Sequence, residues 1–260
     1  MTISAQSWQK YVNALFKVSE SATKDLATFL GSNFDYNNPE EMKRLVSYAY
    51  GISTKYGEAA AELACQMYDA MGLASGEMLD PAMPADLAGY GDVAKTVYGT
   101  AKTSQNIEEM ISAVTRLVKQ ASQDTTLQNA LRDGAEFAWI PSGDTCAFCI
   151  ALASRGWQSA SKNAIKKGHA EHIHSNCDCA YAVRFNSKTQ VKGYDPSKYE
   201  AMYYGADLDG EKPNSKNRIN ALRREFYAKN KEKINENKRI NYAERQQRLN
   251  SSEAEETNVN

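Results

Sequence analysis

Residues 136–149 read E-F-A-W-I-P-S-G-D-T-C-A-F-C, and residues 169–185 read H-A-E-H-I-H-S-N-C-D-C-A-Y-A-V-R-F. Together the two runs hold Cys146, Cys149, Cys177 and Cys179, and all 3 histidines, His169, His172 and His174. Outside them only Cys65 carries a soft ligand. Each run also carries a strand signal. Glu136–Ile140 is short, aromatic and β-branched and closes on Pro141, and Ala180–Phe185 places Tyr181, Val183 and Phe185 on one face. Cys146 and Cys149 fall on the turn after the first strand, and the run from Ala151 predicts a short helix ending at Gly156. Residues 136–204 therefore read as a small Cys/His α+β module. It is short of apolar bulk, a deficit that a bound metal would make up.

The spacing of the ligands points to zinc. In Cys146-x-x-Cys149 a tight turn lets two thiolates reach one ion, and His174-x-x-Cys177 can do the same from the other side, with Cys179 a near-equivalent replacement. The candidate metal ligands are thus Cys146, Cys149, His174, Cys177 and Cys179, from which a closed structural site takes four. Three other chemistries use the same residues. A Cys-x-x-Cys redox pair belongs between a strand and a helix in a βαβ context, which the helices ahead of it do not supply. A disulfide needs an oxidising compartment, and 5 cysteines pair badly. A catalytic zinc, including a histidine-metal nuclease site, keeps a position open for water beside an acid such as Glu171 or Asp178, whereas a thiolate-rich set suits a closed site.

Working outward, residues 1–135 predict a helical bundle. Trp8, Tyr11, Val12 and Leu15, continued by Leu26, Phe29 and Leu30, give a helix over 5–30 that stops at Gly31. Asn38-Pro39-Glu40-Glu41 is a helix start with a capping side chain, a proline in the first turn and acids at the positive end. The helix it opens reaches about Met71. Gly72, Gly76, Pro81, Pro84 and Gly89 predict a loop over 72–90. Further helices are expected over 91–103 and 106–121, and a separate one from an Asp124 cap to Leu131. The fold class is therefore mainly α: a bundle, the α+β module, then a basic arm.

The net charge of −1 conceals an uneven distribution. Residues 1–140 hold 11 Lys or Arg against 17 Asp or Glu, and residues 211–249 hold 12 against 5. The segment 205–250 has apolar residues at Ile219, Phe226, Ile234, Tyr242 and Leu249, a thin stripe on one long helix. Its cations Arg223, Arg224, Lys229, Lys231, Lys233, Lys238 and Arg239 are candidate phosphate contacts, and an acidic protein surface is the alternative partner. Residues 251–260 read as a disordered tail. No run approaches the roughly 18–20 apolar residues of a membrane span, and the N-terminus lacks the basic start and apolar block of a secretory signal. Gly-rich phosphate loops are absent, so nucleotide binding is unsupported, and every histidine lies in the cluster, which leaves no Ser-His-Asp arrangement.

The run S-G-D-T-C-A-F-C-I-A-L-A-S-R-G-W (142–157), followed by H-S-N-C-D-C (174–179) and a short β-like run, resembles the minor head proteins of tailed bacteriophages, the Mu F-like head morphogenesis group. Asp144, Cys146, Cys149 and Gly156 carry the first half of the resemblance, and His174, Asn176, Cys177 and Cys179 the second. It covers about 136–186, while the helical front agrees in character alone. The resemblance implies a structural, non-enzymatic virion component made in the bacterial host cytoplasm and then carried in the virion. Its implied partners are the portal and major capsid proteins, and its implied role is head assembly or DNA packaging and delivery, with packaged DNA facing the basic arm. The competing reading is a zinc-dependent nucleic-acid-processing or toxin-like hydrolase.

Overall fold

The computed structural model describes residues 2–31, 34–142, 145–163 and 179–257, with side chains in the last helix described to Glu236 and at Arg239. Met1–Met202 form one compact unit and Tyr203–Asn260 a second. In the first, α1 (Ala5–Leu30), α2 (Pro39–Ser75), α3 (Tyr90–Thr103) and α4 (Ile107–Arg132) pack together, with α2 against all three others. The Asn38 side chain accepts from the N–H groups of Glu40 and Glu41, as the sequence predicts. Asn106 caps α4 in the same way through Glu108 and Glu109. The bundle's own core is made of large aliphatic side chains: Leu26, Leu45, Val46, Met110, Val114 and Val118 are all buried.

Two helix boundaries differ from expectation. α2 does not stop at Gly72 but runs to Ser75 and ends at Gly76, which sits at φ 76° in the left-handed region glycine favours. Gly72 is kept for space: a Cβ there would lie 2.7 Å from Leu79 Cδ1. Asp124 does not cap a new helix; α4 continues through it to Arg132. The polar run that mimics a helix start is instead buried within the helix. Thr125 Oγ1 and Thr126 Oγ1 donate to the carbonyls four residues back, Ala121 and Ser122.

These buried polar groups organise the loop between α2 and α3. Ala85 N donates to Thr125 Oγ1 at 3.0 Å. Asn129 accepts from Met83 N at 2.9 Å through Oδ1 and donates to Met83 O at 2.8 Å through Nδ2. The Arg132 guanidinium donates to the carbonyls of Asp80 and Pro81. The loop thus uses α4 as a surrogate strand partner, meeting the requirement that buried backbone groups be paired.

The strands follow α4. β1 (Thr2–Ile3) is at the N-terminus; β2 (Glu136–Ile140) is central to a three-stranded antiparallel sheet between β3 (Gln158–Ser159) and β4 (Ala180–Arg184). β5 (Gln190–Val191) pairs in parallel with β1, tying the chain's start to this region. Between β2 and β3 lies α5 (Ala147–Ala153), and α6 (Pro196–Tyr204) follows β5, opened by Asp195, whose Oδ1 accepts from Ser197 N. Both predicted strands form, but β4 is not amphipathic: Ala180 to Val183 are all buried. The strands do not rely on their own apolar bulk alone. Trp8, Tyr11, Tyr68, Met71 and Leu127 from α1, α2 and α4 share one core cluster with Phe137, Trp139, Tyr181 and Val183 of the sheet.

The second unit contains one long helix, α7 (Ser215–Thr257). Asn214 Oδ1 accepts from Asn217 N at its start. Arg218 donates to Tyr204 O and lies over the Tyr204 ring, and Glu225 accepts from Asp207 N. Ala221 and Leu222 are buried, and beyond them the described side chains of α7 are half-buried or exposed. None of the described helices is long and apolar enough to cross a membrane.

Candidate metal centre

The sheet register decides where the cysteines go. β2 and β4 pair over their whole length, with Ile140 opposite Ala180. The chain therefore leaves β2 and comes into β4 at the same end of the sheet. Cys146 lies six residues beyond Ile140, and Cys179 directly precedes Ala180. Cys146 and Cys179, 33 residues apart in sequence, thus follow and precede strand ends that lie side by side.

At that edge Cys146 is the N-cap of α5. Its Sγ accepts from Cys149 N at 3.4 Å, while its carbonyl accepts from Ile150 N at 3.0 Å. This is the turn that a metal-binding Cys-x-x-Cys requires. Cys149 is 1% exposed and Cys179 7%, and both belong to the core cluster that contains Trp139, Ile140, Leu152 and Ala153, with Cys146 packed against it.

Neighbouring side chains fix the frame. Gln123 Nε2, from α4, donates to the Cys179 carbonyl at 3.4 Å. The Trp139 and Tyr181 rings meet edge to face at 4.6 Å across the β2–β4 pair. Tyr194 OH donates to Ala153 O at the end of α5, and burial pushes its hydroxyl well above the usual phenol range. Burial, and then the Cys179 sulfur, raise the Tyr199 hydroxyl. No spacing rule signals Gln123, Tyr194 or Tyr199; they reach the site through packing of α4 and the segment after β5.

Cys65 is separate from this centre. It is buried in α2, and burial pushes its thiol up to about 11, so it stays protonated and inert. His174 and Cys177 lie outside the described residues, as do His169 and His172. Among the described residues no three His, Cys, Asp or Glu side chains group closely enough to hold an ion. A four-ligand site would therefore need two ligands from outside the described residues, such as His174 and Cys177, beside two of the cysteines placed here. The cysteines that are placed are soft donors in an apolar surround, the donor type that a closed zinc site uses.

The other candidate surface is α7. Arg223, Arg224, Lys229, Lys231, Lys233 and Arg239 are exposed, and Lys238 lies on the same helix. Arg224 Nη2 also donates to Asp207 O at 3.4 Å.

Compared with known families, residues 2–206 match the family described as VG15 protein. The chain belongs to this family. It is a family of viral proteins, which accords with the phage character that the cysteine segments suggest. The family's span begins at β1 and ends within two residues of α6, so it covers the first compact unit and excludes α7. No curated protein and no solved structure matches the chain significantly.

Proposed function

We propose that this chain is a minor head protein of a tailed phage, a structural virion component that acts in head assembly or in DNA packaging and delivery. The observation that carries the proposal is membership of a viral family over the whole first compact unit, joined to the cysteine segments that resemble phage head morphogenesis proteins. In this reading four of Cys146, Cys149, His174, Cys177 and Cys179 ligate one structural zinc. The ion would link the turn before α5 to the segment before β4 and so brace the end of the sheet. The burial of Cys149 and Cys179 favours a closed site over one with water at an open position. The proposed partners are the portal and major capsid proteins, with packaged DNA facing α7, and the protein would pass from the host cytoplasm into the virion.

The test is mass spectrometry of purified particles together with assembly in the absence of the chain. The proposal expects a low, fixed copy number in mature heads and aberrant or empty heads without it. A chain absent from particles, with heads assembling and filling normally, would contradict it.

A further inference from the structure

The seven cations that the sequence offers for phosphate contact are not equivalent once they are placed on α7. The helix is continuous from Ser215 to Thr257. At about 100° per residue, Lys216, Arg223, Lys231, Lys238 and Arg245 fall within about 80° of arc, recurring every 7 or 8 residues, or about 11–12 Å. Arg224 borders this stripe. Glu225, Glu232 and Glu236 fall on the opposite side, within about 40° of one another. Lys229, Lys233 and Arg239 lie away from the stripe. Of the stripe's described members, Lys216, Arg223 and Lys231 are exposed, while the glutamate side includes Glu225, which is engaged with Asp207 N in its own unit.

We infer that α7 is a one-sided duplex-DNA-binding element whose contact surface is the Lys216–Arg223–Lys231–Lys238–Arg245 stripe. The inference rests on the proposed role beside packaged DNA and deepens it by assigning the face. The stripe extends about 44 Å in a line. A partner must present negative charge evenly over that distance, as a duplex does at one charge per about 1.7 Å of axis. Acidic patches on proteins are seldom so long or so regular. The opposite side mixes Glu225, Glu232 and Glu236 with Arg218, Lys229 and Arg239, whereas from Lys216 to Arg245 the stripe holds no acid, so uninterrupted positive charge is confined to one face. Tyr227, 45% exposed and in the same arc, adds a contact without requiring base readout.

The test measures binding of the full-length protein to a duplex of about 30 base pairs, longer than the stripe, across a salt series. Five engaged cations predict a slope of log affinity against log salt of about −4.5. Replacing Arg223 and Lys231 by glutamine reduces the magnitude of the slope by about 2, whereas the matched pair K229Q and K233Q leaves it unchanged. Circular dichroism of both variants checks that the helix persists. Equal losses in the two pairs would overturn the assigned face. Absence of salt-dependent binding, or displacement of the DNA by polyglutamate at equal charge, would overturn the nucleic-acid assignment. Incorporation of the chain into particles is read separately, so failure here is distinguishable from failure of the head-protein role.

Discussion

The bundle core and the cysteine end of the sheet solve the same problem with different materials. In the bundle, Leu26, Leu45, Met110 and Val114 interdigitate between long helices, and their burial alone accounts for its cohesion. At the sheet end the buried residues include Ala135, Ala138, Ala153, Ala180 and Ala182, and the bulk comes from aromatic rings and from α1, α2 and α4. Small residues let strands and helices approach closely but remove little apolar area from water per residue. A cross-link at that edge would add to a core built from rings and from three helices as well as from the sheet itself. A metal bound there would brace one edge of a sheet that already shares its core with the bundle helices.

Changes on the bundle side set the scale. Leu45→Ala removes a fully buried side chain and is expected to cost about 2–5 kcal/mol, read by chemical denaturation, with no change in metal content. A loss of metal in that variant would show that the two regions are less independent than described. Asn129→Ala leaves Met83 N and Met83 O without their side-chain partners and is expected to cost about 3 kcal/mol, with hydrogen exchange rising first in the loop between α2 and α3. Uniform exchange would mean that α4 does not hold that loop.

Tyr68, in the core shared with the sheet, makes a pH-dependent contact. Its hydroxyl donates to Asp133 Oδ2 at 2.8 Å, beside the Arg132 guanidinium, 2.7 Å from the other carboxylate oxygen. Arg132, then the Tyr68 hydroxyl, hold the Asp133 carboxyl below the usual carboxylate range against the opposing effect of burial. A carboxylate depressed in the folded state contributes stability that is present above its unfolded pKa and is lost as pH falls through the folded value. Tyr68→Phe is therefore expected to cost about 1.5 kcal/mol at neutral pH, with the difference from wild type shrinking under acid. A pH-independent difference would place the effect in packing instead. Asp124 has the opposite sign: burial raises its carboxyl, so ionisation works against folding at neutral pH. Asp124→Asn is expected to raise the thermal midpoint slightly at pH 7, with the gain vanishing as pH falls below the unfolded carboxylate value.

How far the chain's own residues announce this arrangement varies with the kind of signal. Helix starts built on a side-chain cap and a proline, as at Asn38-Pro39, are legible because the signal is local. The same logic applies to Asp195-Pro196, which opens α6 and which the charge and cysteine patterns around it overshadow. The continuity of α4 is not legible: Ser, Asp and Thr ordinarily favour caps, and only burial against the loop turns them into helix-interior donors. β1, β3 and β5 are two residues each, too short for any periodicity. In the candidate centre, the ligand types and the pairing of two cysteine turns are read from spacing. That the chain leaves β2 and enters β4 at one end of the sheet follows from the Ile140–Ala180 register, which no local pattern encodes.

The central claim is that Cys146 and Cys149 share one structural zinc with the segment before β4. Metal analysis of the full-length protein purified under reducing conditions tests it most directly, with Cys149→Ser and Cys65→Ser measured alongside. The account predicts about one zinc per chain in wild type and in Cys65→Ser, and loss of the zinc with a lowered thermal midpoint in Cys149→Ser. Wild-type protein that is metal-free yet unfolds at the same temperature with and without added zinc would contradict it.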